Sequence, residues 1–263
     1  MLKFSPCIEM MFTSVPFMER FAAVRAAGLD CAEFWGWTQR DPAELKDAAQ
    51  KAAITITSMC VGTKDAALTE EYDKKALLSP DSGKVLAKVV EESIEVAKTL
   101  GVPALIITTG QEREDVSHEE QHNYVVQALR TVAPLFEKSD ILAVLEPLNI
   151  LCDHKGYFLS SGYEAFDIIR EVNSPKIKLL YDIYHQQITE GNLIPNIRNN
   201  IDLIGHFHVA DNPGRNEPGT GEINYKNVFA AIDALDYEGV VGLEYSPTID
   251  AALALRNTVA LAE

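Results

Sequence analysis

Residues 82–108 read SGKVLAKVVEESIEVAKTL-GVP-ALIIT. Val85, Val89, Ile94 and Val96 recur at helical spacing along a face rich in Ala and Leu, so Ser82–Leu100 reads as an amphipathic helix. Gly101 closes it, as a C-terminal glycine does, and Ala104–Thr108 is too short and too aliphatic to be anything but a buried strand. The same helix, stop and strand alternate in both directions from this unit. Further strand candidates are Lys3–Ile8, Leu29–Phe34, Ile54–Cys60, Ile141–Glu146, Ile177–Asp182, Leu203–Val209 and Val240–Glu244. Eight strands, each followed by a helix, predict an α/β fold of the (β/α)8 barrel type, with residues 1–263 as a single domain. The rival is a doubly wound open sheet. However, no G-x-G-x-x-G follows the first strand and no G-x-x-x-x-G-K-[ST] occurs anywhere, so no nucleotide cofactor is expected. The third unit is longer than the others because of Val61–Gly83, a polar segment without a strand. It reads as a long loop, either a lid or a surface excursion.

Composition narrows the partners. With 23 basic and 39 acidic side chains the formal charge is −16, which repels a phosphate backbone, and no basic stripe relieves it, so nucleic acid is not expected. The longest aliphatic runs fall far short of the ~20 residues of a membrane span, and the N-terminus lacks a signal peptide's apolar region. Cys7, Cys31, Cys60 and Cys152 form no C-x-x-C pair and lie in or beside apolar segments. They read as buried, reduced thiols, and the expected location is cytoplasmic with no membrane partner.

Barrel active sites gather at the C-terminal ends of the strands. Strand five ends Val144-Leu145-Glu146-Pro147, strand six Tyr181-Asp182, strand seven His206-Phe207-His208-Val209, and strand eight Leu243-Glu244-Tyr245. Three carboxylates and an imidazole thus converge on one rim, and so many anions are tolerable beside a cation or when some are protonated. Three oxygen ligands with one nitrogen suit Mn²⁺ or Mg²⁺, with Co²⁺ also plausible. His206 and His208 share a strand face, so either could be the ligand. His185 lies just past the strand-six end, where it either faces a substrate or is a partly exposed loop histidine. Arg215, in the Gly- and Pro-rich loop after strand seven, offers a fork of donors to an oxygen-rich anion, a structural ion pair being the alternative. Trp35 and Trp37 follow strand two, where they either wall a small pocket or simply pack under a loop.

Residues 118–122, His-Glu-Glu-Gln-His, match the H-E-x-x-H metalloprotease pattern in form. Ser117 with Glu120 forms a capping-box pattern, and the flanks are polar, so this is read as a solvated helix start and the protease is rejected.

These motifs together resemble the hydroxypyruvate isomerase family, within the xylose isomerase-like TIM-barrel sugar isomerases and epimerases. The resemblance runs nearly end to end and is closest in Met10–Phe21, the Gly214–Tyr225 loop, Asp182-x-x-His185 and Glu244-Tyr245. It implies an aldose–ketose type isomerase of a small hydroxy-carbonyl acid or sugar, with hydroxypyruvate to tartronate semialdehyde as the leading reaction and Glu146 and Glu244 as the proton donor and acceptor pair. It further implies Glu146, Asp182, His208 and Glu244 as ligands of a divalent metal, and His185 and Arg215 at the substrate; Trp35, a candidate substrate contact from its place after strand two, lies in a stretch around Gly36 that departs from the family pattern. His208 is also the residue that metal-dependent ketose 3-epimerases carry, which keeps epimerisation as the alternative, with a non-catalytic sugar-binding barrel behind it. Barrels of this kind often pair through their loops, so a homo-oligomer is compatible with the resemblance.

Overall fold

The computed structural model describes residues 1–263. Its strands are β1 (Lys3–Pro6), β2 (Cys31–Ala32), β3 (Thr55–Ile56), β4 (Ser58–Cys60), β5 (Ala104–Ile107), β6 (Leu142–Leu145), β7 (Ile177–Asp182), β8 (Ile204–Val209) and β9 (Val240–Leu243). Seven of them form a sheet in the order β1-β9-β8-β7-β6-β5-β4, and every pairing is parallel. The remaining gap is closed by the parallel pair β2-β3. Cys7 bridges to Glu33, with Glu33 N donating to Pro6 O at 3.0 Å and Ile8 N to Glu33 O at 2.9 Å, so β2 is joined to β1.

The third expected strand, Ile54–Cys60, is divided at Thr57. Its first half pairs with β2 and its second with β5. At the handover Thr57 N still donates to Ala32 O at 2.9 Å, and its hydroxyl lies 2.6 Å from that of Ser5. β3 and β4 are therefore one wall that changes partner, and the barrel has eight walls. All-parallel pairing requires a crossover between successive strands, and helices cover the outer face.

Strand periodicity sorts the side chains. Leu105, Ile107, Ala143, Leu145, Leu179, Tyr181, Phe207, Val241 and Leu243 pack outward into the main core beneath the helices. Alternate residues point inward, where Ile106, Val144 and Leu180 form a separate small cluster with Cys60 and Leu142 against it. The inward register continues one step past this apolar floor to Glu146 and Asp182.

The helix Ser82–Leu100 has the expected bounds and buries Val85, Leu86, Val89, Val90, Ile94 and Ala97, with Val96 half-buried. Gly101 ends it at φ 74°, a left-handed conformation that favours glycine. Two expectations are corrected. Val61–Gly83 is not a bare loop. It contains the helix Ala66–Lys75, capped by Asp65 accepting from the amides of Ala67 and Leu68, and then buries Leu77 and Leu78. The polar sequence had hidden a short helix whose own residues are nowhere fully buried. The four thiols are unpaired, but only Cys7 is fully buried and Cys152 is exposed, because it falls in the loop after β6. No helix is long and apolar enough to cross a membrane.

Ser117 and Glu120 do form the capping box of the helix His118–Ser139. His118 contacts Glu112 at 2.9 Å and Glu164 at 3.0 Å, and His122 contacts Glu164 at 2.9 Å and Glu171 at 3.1 Å. Both histidines thus tie this helix to carboxylates of the neighbouring helix Gly162–Val172.

Candidate active site

Each site residue sits where a strand runs out. Glu146 follows β6, its amide still donating to Ile107 O at 3.0 Å, and Pro147 then denies the ladder a donor. Asp182 ends β7 and caps the helix Ile183–Thr189, accepting from His185 N at 3.1 Å. His208 lies in register with Asp182 on one side and Gly242 on the other. Glu244 follows β9, with its amide donating to Val209 O at 3.0 Å. Glu146, Asp182, His208 and Glu244 are all buried, and each offers a ligand atom within 4.8 Å of the others'. His208 Nδ1 faces Glu146 Oε1 at 3.1 Å, Glu244 Oε2 at 3.6 Å and Asp182 Oδ2 at 3.9 Å. The pair of histidines left open by the sequence is thereby sorted. His206 turns to Glu33, its Nε2 2.9 Å from Glu33 Oε2, and stays outside the four-residue cluster.

The charges are strongly coupled. Burial works against ionisation of Glu244, but the His208 and Arg215 cations outweigh it and hold its carboxyl below the usual range. Burial pushes Asp182 up, and Glu244 adds to this while His208 opposes it. For His208, burial disfavours the cation, but Glu244 and Glu33 overcome that and raise its pKa well above the ordinary value. Arg215, four-fifths screened from water on its side chain, also donates through Nη2 to Glu244 Oε2 and lies over the Tyr184 ring at 5.5 Å. A positive φ of 55° at Arg215 aims it inward, and the turn is held by its amide on Asp211 O and its carbonyl on Ser246 N. Asp211 in turn accepts from the amides of Asn212, Gly219 and Ile223, which fixes the loop.

His185 is fully buried, which discards the exposed-loop alternative. Its Nδ1 accepts from Asn149 N at 3.2 Å and from Asn149 Nδ2 at 2.7 Å. The proton of the neutral ring therefore resides on Nε2, which has no hydrogen-bond partner and lies 3.7 Å from Asp182 Oδ2. Burial, reinforced by Arg215, pushes the His185 pKa down to about 4, so the ring is neutral near pH 7. Asn149 is itself held by Asp153, which also accepts from Tyr184.

Trp35 is 41% exposed, and its indole N–H donates to Glu244 Oε1 at 2.6 Å. Trp37 is buried beside it. Both line a cavity of about 250 Å³ with Cys60, Thr63 and Tyr72. A larger, open polar cleft between Arg40 and Lys74 lies farther out and contains none of the converging residues.

Sequence reading missed Glu33. It is an acid inside the apolar run Cys31-Ala32-Glu33-Phe34, on an inward-facing position, and that mismatch was the available signal. Burial would raise its pKa, but His208 and His206 pull it down to about 2, and the Ser58 hydroxyl donates to it at 3.0 Å.

Residues 21–260 match the family described as xylose isomerase-like TIM barrel. Hydroxypyruvate isomerase of Escherichia coli is 34% identical, over 97% of this chain and 98% of its own. The 2-oxo-tetronate isomerase of Pectobacterium atrosepticum is 29% identical, over 94% of this chain and 93% of its own. Among solved structures, an AP endonuclease, family 2, from Brucella melitensis superposes with a TM-score of 0.86 at 25% identity, over 99% of both chains. The chain belongs to the xylose isomerase-like TIM barrels and, among them, to the hydroxypyruvate isomerase family.

Proposed function

We infer that the protein is an isomerase of a small hydroxy-carbonyl acid, interconverting hydroxypyruvate and tartronate semialdehyde by proton transfer through an enediolate. The observation that carries this reading is the pair Glu146 and Glu244, both within 3.6 Å of His208 Nδ1, together with a buried, unpartnered imidazole nitrogen and an arginine. The near full-length similarity to an isomerase named for this substrate supports it.

The donor set fits a divalent cation. Three buried carboxylate groups and one imidazole nitrogen converge, and the nearby positive charge of Arg215 is engaged by Glu244 alone. Glu146, Asp182, His208 and Glu244 would hold the ion, with Mn²⁺ or Mg²⁺ best suited and Co²⁺ compatible. Bound there, it supplies positive charge that lowers the cost of a developing oxyanion.

The chain's own groups do the rest. Glu244, kept ionised by His208 and Arg215, takes the proton from C3 of hydroxypyruvate, and the electron pair spreads over C2, C3 and the C2 oxygen. Glu146 delivers a proton to C2, and the C3 hydroxyl proton passes to the C2 oxygen, which leaves an aldehyde at C3. In reverse the two glutamates exchange roles. The His185 Nε2–H, neutral at the working pH, donates to the oxygen that gains charge without itself being lost as an acid. Arg215, whose Nε is buried without a partner, supplies donors to the substrate carboxylate. Trp35 keeps Glu244 Oε1 in place from the substrate side.

The test is proton NMR of protein supplied with Mn²⁺ and, separately, hydroxypyruvate, a four-carbon 2-oxo sugar acid, and neutral ketoses. A new aldehyde from hydroxypyruvate is expected. Turnover of the four-carbon acid alone would move the substrate, and change in ketoses alone would replace isomerisation of an acid by epimerisation.

A further inference from the structure

Beneath the four converging residues lies a second buried cluster, Glu33, His206 and His208, whose ligand-type atoms also fall within 4.8 Å of each other. It shares only His208 with the first. The His208 ring stands between the two: Nδ1 is turned to Glu146, Asp182 and Glu244 and hydrogen-bonded to Glu146 Oε1, while Nε2 lies 3.1 Å from Glu33 Oε1, within ion-pair reach but not aligned as a hydrogen bond, so that these two buried atoms have no other partner. The other Glu33 oxygen, Oε2, takes His206 Nε2 at 2.9 Å and the Ser58 hydroxyl at 3.0 Å.

The backbone on all sides is arranged to hold this carboxylate. Glu33 sits at the seam between β1 and β2, its N–H on Pro6 O and its C=O accepting from Ile8 N. From there its side chain reaches across the barrel to β8. Gly242, the register neighbour of His208 on β9, leaves the space it needs. A Cβ at Gly242 would come within 2.2 Å of Glu33 Oε1 and 2.6 Å of His208 Cδ2. Glycine in the middle of a strand costs stability, and here its absent side chain admits a carboxylate and an imidazole edge.

We propose that Glu33 is a positioning residue: it holds the His208 ring with its proton on Nε2, so that the Nδ1 lone pair is presented to a divalent cation among Glu146, Asp182 and Glu244. A carboxylate behind a ligating histidine fixes both tautomer and ring direction. His206 and Ser58 fix the carboxylate, and Gly242 keeps its path open. The proposal rests on the four-residue cation site inferred above.

The test measures Mn²⁺ binding by the electron paramagnetic resonance signal of the free ion, not turnover. Wild type, Glu33→Gln and Gly242→Ala are compared, with the near-ultraviolet circular dichroism of each metal-free protein as the control for folding. Wild type is expected to bind one Mn²⁺, and Glu33→Gln, which retains shape but loses the charge, to bind it about 10- to 100-fold more weakly. Gly242→Ala is expected to weaken binding as well, because the added methyl must displace Glu33 or His208. Glu33→Asp, which keeps the charge, should recover part of the loss. A folded Glu33→Gln protein with wild-type affinity overturns the positioning role while leaving the cation site intact. No binding by wild type overturns both. Should the variants not fold, ¹⁵N-histidine NMR of wild type with Mg²⁺ decides alone: a His208 ring protonated at Nε2 is expected, and one protonated at Nδ1 contradicts the proposal.

Discussion

His185 receives two N–H donors from Asn149 at its Nδ1, and this local arrangement, rather than any distant charge, assigns its proton to Nε2. A fixed donor aimed at a developing oxyanion is worth about 10²- to 10³-fold in rate. His185→Asn should therefore lower kcat/KM by that factor, with no loss of Mn²⁺ affinity, because His185 is outside the four-residue cluster. Steady-state kinetics beside a metal titration checks it, and an unchanged kcat/KM would remove His185 from the chemistry. The four converging residues were legible in the sequence because strand ends are recognisable and side chains alternate: an acid or histidine after an apolar strand is noticed four times in succession. Glu33 was not, since one acid just after a two-residue strand makes no pattern, and its partner His206 lies 173 residues away. The choice between His206 and His208 needed the register of β8 against β7 and β9.

The helices His118–Ser139 and Gly162–Val172 meet through His118 and His122 on Glu164, with Glu112 and Glu171 on the outer ring nitrogens. Glu112, followed by Glu164, raises the pKa of His118. Burial opposes the cation at His122, but Glu164 and Glu171 prevail and raise it too. A raised histidine pKa stabilises the fold fully below the unfolded value of about 6.5, and that contribution is lost as pH rises through the folded values. The double variant His118→Gln, His122→Gln should thus be less stable than wild type at pH 6, by no more than about 1 kcal/mol given the exposure of His118, and melt correspondingly lower, and the gap should close towards pH 9. Thermal melts at the two pH values measure it, and a gap that widened with pH would contradict the assignment. At this scale the capping box was plain in Ser117 and Glu120, as was the long helix Ser82–Leu100. The helix Ala66–Lys75 was not, because it buries no complete residue and so carries no apolar stripe. The split at Thr57 escaped notice because both halves are short and continuous in sequence, and only the partner changes.

Across the whole barrel, the same alternation that sends Leu145, Tyr181, Phe207 and Leu243 into the core beneath the helices sends Glu146, Asp182, His208 and Glu244 to the centre. Stability and site are thus two faces of one sheet, and the cost of gathering three carboxylates there is borne by the fold. A cation that binds only the folded chain offsets that cost. At about 100 times its dissociation constant, Mn²⁺ should add about 2.7 kcal/mol, a rise in melting temperature of roughly 5–10 °C that EDTA reverses. Calorimetry with and without the ion reads this directly, and equal melting temperatures would argue against a cation at the four residues. The barrel class followed from counting strand and helix units, whereas closure of the sheet at Cys7 and Glu33 is a pairing that no local pattern announces.

Exchange in D₂O shows whether Glu244 moves a carbon-bound proton. Wild type and Glu244→Gln are incubated with hydroxypyruvate at saturating Mn²⁺, and loss of the C3 proton signal is followed by NMR. Wild type should exchange the C3 proton, and the variant, folded by circular dichroism, should do so at least about 10²- to 10⁴-fold more slowly. Exchange by Glu244→Gln at the wild-type rate would mean that Glu244 does not move this proton.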